Sequence, residues 1–255
     1  MATNPDFPHL EYFQQSMEMT TNDVGQNLYI CIMDKLKNPD DHVYIGLSGG
    51  SQVKVISSLL RQFFTNGLLF NRIHIFMVDE RILPLDHPDS NMGSYMRLTP
   101  PEMHFCFMPI AAYYDPNDVA LEFSARFSQM PGLMFNEKGF PIFDLLIMGL
   151  GPDGHFASLF PNHPVLNEEQ RWFAPVYDSP KPPPQRITLT IPVVNAAHKT
   201  MFFVIGADKV DILEDIFKKS VHYPPCLIVP ENGDPVVFYI EYEAGKKIDL
   251  PVPVS

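Results

Sequence analysis

A chain of 255 residues, 45% of them hydrophobic, can fill a sizeable core, and α/β chains of this length often form one unit, so a single domain over residues 1–255 is expected. The formal net charge of −12, with no basic tract to offset it, argues against a nucleic-acid or membrane-surface partner. No stretch approaches the ~18 consecutive apolar residues of a membrane span, and Met1–Leu10 lacks the basic start and apolar stretch of a secretory signal, so a soluble, cytoplasmic protein is expected.

In chain order, the apolar spacing predicts a helix over His9–Lys37, a strand at Val43–Leu47, a helix at Gln52–Phe64 and a strand at Ile73–Val78. A helix at Asn117–Gln129 follows, then strands at Phe143–Leu150, Ile187–Ile191 and Met201–Ile205. The chain ends with a helix at Asp208–Lys218 and strands at Cys226–Val229 and Val236–Ile240. Several strands are apolar at consecutive positions, as strands covered on both faces should be, which predicts a mostly parallel, doubly wound α/β sheet with helices on both faces. The prolines of Ser179–Gln185 exclude a helix and favour extended backbone, a stiff loop directly before a strand. Cys31, Cys106 and Cys226 lie far apart with no C-x-x-C pair, which suggests neither a zinc site nor a disulfide framework.

Three segments read as a strand followed by a polar or glycine-rich turn, the place where open parallel sheets bind ligands. The first, Val43 to Ser51, ends in Ser48-Gly49-Gly50-Ser51 before a helix. Paired glycines let backbone N–H groups approach an anion, the serine hydroxyls can donate, and the helix N-terminus adds its positive dipole end, so the segment looks like a phosphate cradle; a tight turn with no ligand is the alternative. The second puts Asp79, Glu80 and Arg81 at the end of an apolar strand, followed by Asp86, His87, Asp89, Ser90 and Asn91. A solvated loop would explain those charges as well. Asp86, His87 and Asp89 lack the ligand spacing of a calcium loop, so no metal is assigned.

The third runs from Asp144 through Gly149, Gly151, Asp153, Gly154 and His155 to Pro161. Its G-x-G-x-x-G spacing raises a nucleotide-binding possibility, but Pro152 sits inside the turn and no strand-end acid follows at the usual distance. Asp153 and His155, two residues apart in a glycine-freed turn, can bring a carboxylate and an imidazole to one substrate, as acid–base chemistry requires. Downstream, Lys181, Arg186 and Lys209 are cations near strand ends that could complete an anion site, arginine by a bidentate fork and lysine as a point charge, or could serve as surface ion-pair partners.

Taken together, LSGGS at Leu47–Ser51, Asp79–Arg81 with Asp86–Asn91, FDLLIMGLGPDGHFASLFP at Phe143–Pro161, SPKPPPQRITLT at Ser179–Thr190 and Gly206–Lys209 resemble the 6-phosphogluconolactonase family, within the larger group that includes glucosamine-6-phosphate deaminases. The resemblance implies a Rossmann-like fold and cofactor-free hydrolysis of 6-phospho-glucono-1,5-lactone to 6-phosphogluconate in the oxidative pentose phosphate pathway. By motif position it implies His155 as general base. Ser48, Gly49, Gly50 and Ser51 with Arg186 and Lys209 would hold the phosphate, and Asp79, Arg81 and Asp153 would line the reacting end. The chain departs from the family pattern at Gln52-Val53, where many relatives continue the cradle with Thr-Pro, and at Phe238–Ala244.

A lactone is already a reactive ester, so water needs only a base to take its proton and a donor to steady the oxyanion. Which of Asp79, Arg81 and Asp153 orients the substrate and which stabilises charge stays open at this level. Two rivals remain. A deaminase of the same group would carry a glutamate five residues after the histidine, where this chain has Phe160, and Tyr where it has Arg81. A non-catalytic sugar-phosphate binder would need the phosphate contacts alone.

Overall fold

The computed structural model describes residues 2–111 and 114–248. The chain opens with β1 (Ala2–Asn4), β2 (Phe7–Gln15), α1 (Met17–Lys35), β3 (Val43–Leu47) and α2 (Val53–Thr65). It continues through β4 (Ile73–Met77), β5 (Asp79–Arg81), α3 (Asn91–Leu98), α4 (Pro116–Phe127), β6 (Met134–Phe135), β7 (Pro141–Ile142) and β8 (Leu145–Met148). The last part holds β9 (Phe173–Val176), β10 (Arg186–Leu189), α5 (Ile191–Ala196), β11 (Thr200–Val204), α6 (Val210–Phe217) and β12 (Val236–Glu241).

Seven strands form one sheet in the order β1-β2-β12-β11-β8-β3-β4, parallel throughout except for the antiparallel edge strand β1. Because side chains alternate across a strand, consecutive apolar residues divide between two cores. Ile45, Leu47, Ile75, Leu145, Ile147, Met201 and Phe203 pack with α1 and α2 on one face. Tyr44, Phe76, Leu146, Met148, Phe202 and Val204 pack with α4 and α6 on the other. This is the doubly wound α/β sheet expected from unbroken apolar runs. No described helix is long and apolar enough to cross a membrane.

Three local expectations are corrected, and one helix appears that none of them covered. The stretch predicted to start a helix at His9 is strand β2, paired in register with β12 from Leu10–Val236 to Gln15–Glu241. Its alternating Leu10 and Tyr12 face the core, and the helix begins only where the Ser16 hydroxyl accepts from the Met19 N–H. Cys226–Val229 is no strand: Pro224 and Pro225 open a 3-10 turn over Pro224–Leu227, in which the Cys226 N–H donates to the Tyr223 carbonyl. The run at Ile187–Ile191 ends as a strand at Leu189, because Ile191-Pro192 opens α5, and it lies outside the main sheet. Helix α3, within the polar loop after Arg81, was not anticipated.

That displaced strand matters for the site. β10 is the centre of a small antiparallel sheet, β5-β10-β9, in which Arg186 is registered with Arg81 and Thr188 with Asp79. In the main sheet, β3 connects outward to β4 while β8 continues to β11 and β12 on the other side. The strand order therefore reverses between β3 and β8, and the crevice at a reversal opens at the carboxyl ends of the strands.

Candidate active site

Ser48 to Ser51 leave β3 at this reversal and turn through a 3-10 helix, Gly50–Gln52, into α2. The Ser48 N–H donates to the Ile147 carbonyl of neighbouring β8 (3.0 Å), and its own carbonyl accepts from Tyr95 Oη (2.8 Å) and Gln52 Nε2 (2.9 Å). Gln52, at the position where the family pattern differs, is buried and braces the cradle from behind by also donating to the Ile147 carbonyl (3.3 Å). Gly49 is required by contact with Asn91: a Cβ there would lie 1.9 Å from Asn91 Oδ1. The Ser48 hydroxyl is buried with no hydrogen-bond partner among the described residues, as a donor awaiting a ligand would be.

Asp79 and Arg81 project from β5. Asp79 Oδ2 accepts from Ser158 Oγ (2.7 Å) and lies 3.8 Å from Arg186 Nη1. Between them in sequence, buried Glu80 accepts from the N–H groups of Arg81, Asn91 and Met92 (2.8, 2.8 and 2.7 Å). Its carboxylate thus caps α3, while burial pushes its pKa up to about 7. Arg81 Nη1 donates to the Asp89 carbonyl (2.9 Å), and its Nε is buried without a partner among the described residues. The loop of Asp86, His87 and Asp89 thereby acts through its backbone. Among the described residues no group of three His, Cys, Asp or Glu side chains is placed to share a metal ion.

Arg186 is only 2% exposed. It donates from Nε to the Pro183 carbonyl (3.0 Å), from Nη2 to the carbonyls of Lys181 (2.7 Å) and Pro182 (3.4 Å), and from Nη1 to Ser158 Oγ (3.2 Å). Of its five N–H groups one is left over. That leaves Arg186 one N–H to offer the cavity it lines. Lys209 is the freer cation, with Asp208 Oδ2 at 2.5 Å as its ion-pair partner.

His155 Nδ1 lies 2.5 Å from Asp153 Oδ1. An ionised carboxylate only accepts, so Nδ1 carries the proton and Nε2 keeps its lone pair. The same Asp153 oxygen receives Lys181 Nζ (2.9 Å). Room for the imidazole depends on Gly151, where a Cβ would lie 2.0 Å from His155 Nδ1 and 2.7 Å from Asp153 Oδ1. Burial lowers the His155 pKa below its ordinary value, outweighing the hydrogen bond to Asp153 that works to raise it. Partial burial would raise the Asp153 pKa, but the hydrogen bonds from His155 and Lys181 prevail and lower it. The pair therefore stands as neutral imidazole and carboxylate at neutral pH.

These segments enclose a cavity of about 340 Å³. Of the residues singled out from sequence, Ser48, Gly49, Gly50, Ser51, Asp79, Arg81, His155, Arg186 and Lys209 line it; Asp153 does not, standing behind His155. Three cations, Arg81, Arg186 and Lys209, line it with two carboxylates, Asp79 and Asp208, a locally cationic pocket in an acidic chain. Asn91, Ser158, Gln52 and Tyr95 were given no role from sequence. Asn91 and Ser158 lie inside the quoted motifs, and only their long-range contacts reveal a role.

The sequence model for glucosamine-6-phosphate isomerases/6-phosphogluconolactonase matches residues 15–237, most of the chain and every segment of this cavity. The chain belongs to this family. Among curated members, the 6-phosphogluconolactonase of Homo sapiens is 35% identical over 215 residues, covering 81% of each chain. The 6-phosphogluconolactonase of Rattus norvegicus is 35% identical over 214 residues with the same coverage. Among solved structures, the 6-phosphogluconolactonase of Trypanosoma brucei shares the fold with a TM-score of 0.78 at 23% identity, covering 94% of this chain and 98% of its own. Beside the imidazole, Phe160 stacks on His155 with ring centroids 4.6 Å apart.

Proposed function

We propose that the chain hydrolyses 6-phospho-D-glucono-1,5-lactone to 6-phospho-D-gluconate, a step of the oxidative pentose phosphate pathway, with His155 as general base. The observation that carries this reading is the neutral imidazole of His155, held through Nδ1 by Asp153 at 2.5 Å, beside a cationic cavity that also contains the Ser48–Ser51 cradle. Lys209, the Ser48 hydroxyl and the N–H groups of the cradle take the phosphate; the leftover N–H of Arg186 adds one contact. His155 Nε2 removes a proton from water as its oxygen attacks the lactone carbonyl carbon. Arg81 steadies the oxyanion of the tetrahedral adduct, and Asp153 steadies the imidazolium. The C1–ring oxygen bond then breaks, and the imidazolium returns its proton to that oxygen, leaving the open-chain acid.

Asp79 serves this site by ordering Ser158 and Arg186. Phe160 disfavours the deaminase reading, since an apolar ring beside the imidazole moves no protons. A cytoplasmic address, with a small sugar phosphate and no nucleic acid or membrane surface as partner, is supported by the acidic composition and by three free cysteines.

The test is a coupled assay on freshly generated lactone, with spontaneous opening subtracted. Purified protein should accelerate opening severalfold or more over background and release no ammonia from glucosamine 6-phosphate. Robust deamination, or opening at the background rate, would overturn the proposal.

A further inference from the structure

We propose that Lys181 is a positioning residue that sets the proton affinity of His155 through their shared contact, Asp153 Oδ1. The inference rests on the reading of His155 as the base. Lys181 Nζ reaches Asp153 Oδ1 at 2.9 Å, and His155 Nδ1 reaches the same oxygen at 2.5 Å. Among the described residues no other side chain is hydrogen-bonded to or ion-paired with the Asp153 carboxylate. Lys181 is not among the residues lining the cavity, which separates it from the cations placed to meet a phosphate.

The backbone that carries the ammonium is fixed by the loop. The Lys181 carbonyl accepts from buried Arg186 Nη2 (2.7 Å) and from Ser179 Oγ (2.8 Å), and its N–H donates back to Ser179 Oγ (3.3 Å). Pro182, Pro183 and Pro184 restrict the following backbone, and the Ser179 N–H closes the loop on the Pro184 carbonyl (3.1 Å). Few conformations of the loop remain that would withdraw the side chain.

An ammonium on the shared oxygen acts on the imidazole in two ways with one sign. It draws down the electron density that Asp153 offers to an imidazolium, and its own charge repels that imidazolium. Both hold His155 in the neutral form that can accept a proton from water. The other charges facing His155 are Asp79 on β5, which favours the imidazolium, and across the cavity Arg81, Arg186, Lys209 and Asp208. All of these stay in place when Lys181 alone is replaced.

The experiment uses the full chain as wild type, Lys181→Met, Lys181→Gln and Lys181→Arg. The His155 ring is followed by NMR titration without substrate, assigned by its loss in His155→Gln, and the pH profile of kcat/KM is recorded in parallel. Removing the charge should raise the His155 pKa and move the acid limb upward by about half a pH unit or more, as expected for a unit charge a few ångströms away. Well below the wild-type His155 pKa, kcat/KM should fall ~threefold, while near neutral pH and in mild alkali it stays within about twofold of wild type; Lys181→Arg should titrate like wild type. An unmoved His155 titration in both uncharged variants, or an equal loss of rate at every pH, would overturn the proposal. The NMR arm needs no turnover: a shifted titration in a protein that opens no lactone would sink the lactonase reading and leave the coupling intact.

Discussion

The ring of Phe160 lies on the imidazole of His155, centroids 4.6 Å and planes 28° apart, and the same ring carries the guanidinium of Arg186 at 5.6 Å. One buried aromatic thus joins the base to the arginine that anchors the proline loop. Its apolar face excludes water from one side of the imidazole, which disfavours the charged form. Asp153 pulls the other way, and burial prevails.

The pH dependence follows with its sign. A histidine whose pKa is lowered below the ordinary value of about 6.5 stays a competent base further into acid. The rate of lactone opening should hold down to that value and fall only below it. His155→Ala should lower kcat by ~10²–10⁴-fold with little change in KM, the usual worth of a positioned base. A steady-state profile with its acid limb above the ordinary histidine value, or near-wild-type kcat in the alanine variant, would remove His155 from the role. A chelator should leave the rate unchanged, since lactone opening by water asks only for a base and an oxyanion donor.

Lys209 and Arg186 should separate kinetically. Lys209 is nine-tenths buried in the cavity wall with an exposed Asp208 carboxylate as its partner, so its charge is available to a phosphate. Lys209→Met should raise KM by on the order of 10–30-fold and leave kcat near wild type. Arg186→Lys keeps a charge but cannot reproduce the hydrogen bonds to Lys181, Pro182, Pro183 and Ser158. It should lower kcat and cost about 1–3 kcal/mol of stability, read as a drop in Tm. A pure KM effect in Arg186→Lys with unchanged Tm would return Arg186 to the phosphate.

Gly151→Ala probes the space beside the base. The new Cβ cannot share 2.0 Å with His155 Nδ1, so the imidazole must leave Asp153 or the turn must move. Overpacking of this kind costs about 1–3 kcal/mol, too little to unfold most domains. The variant should therefore fold, with circular dichroism like wild type, and lose ~10²-fold or more in kcat. Full activity in a folded Gly151→Ala would show that the Asp153–His155 contact is dispensable.

Away from the site, His74 should govern part of the acid sensitivity of stability. It sits between Tyr44, stacked at 4.7 Å, and His42, whose Nδ1 is 2.8 Å from His74 Nε2. Burial, with His42 adding to it, lowers its pKa to about 4. Between that value and the ordinary 6.5 or so the unfolded chain binds a proton that the folded one refuses, so stability declines as pH falls through this window. His74→Phe keeps a ring against Tyr44 and removes the titration. Its Tm should vary less between pH values near 7 and 5 than that of wild type, and an identical slope would exclude His74 as a contributor.

What the sequence determined by itself was whatever depends on a residue's immediate neighbours. Unbroken apolar runs such as Tyr44-Ile45 and Leu145-Leu146-Ile147 required two covering layers, and those side chains do alternate between two cores. The Asp153–His155 contact spans two residues in one turn, so it too was legible, as was the glycine-serine turn between β3 and α2. Tertiary structure decided the rest. Strand β2 exists because β12, more than 200 residues away, offers it a ladder, and no local pattern reports a distant partner. The hydrogen bonds of Arg186 to the proline loop, the placement of Lys181 on Asp153, and the stacking of Phe160 on His155 are all set by tertiary packing. Sequence spacing shows which chemical groups are available and which way each tends to face; the choice among several possible partners for a buried charge is made by the whole fold, which must satisfy most of its buried donors together.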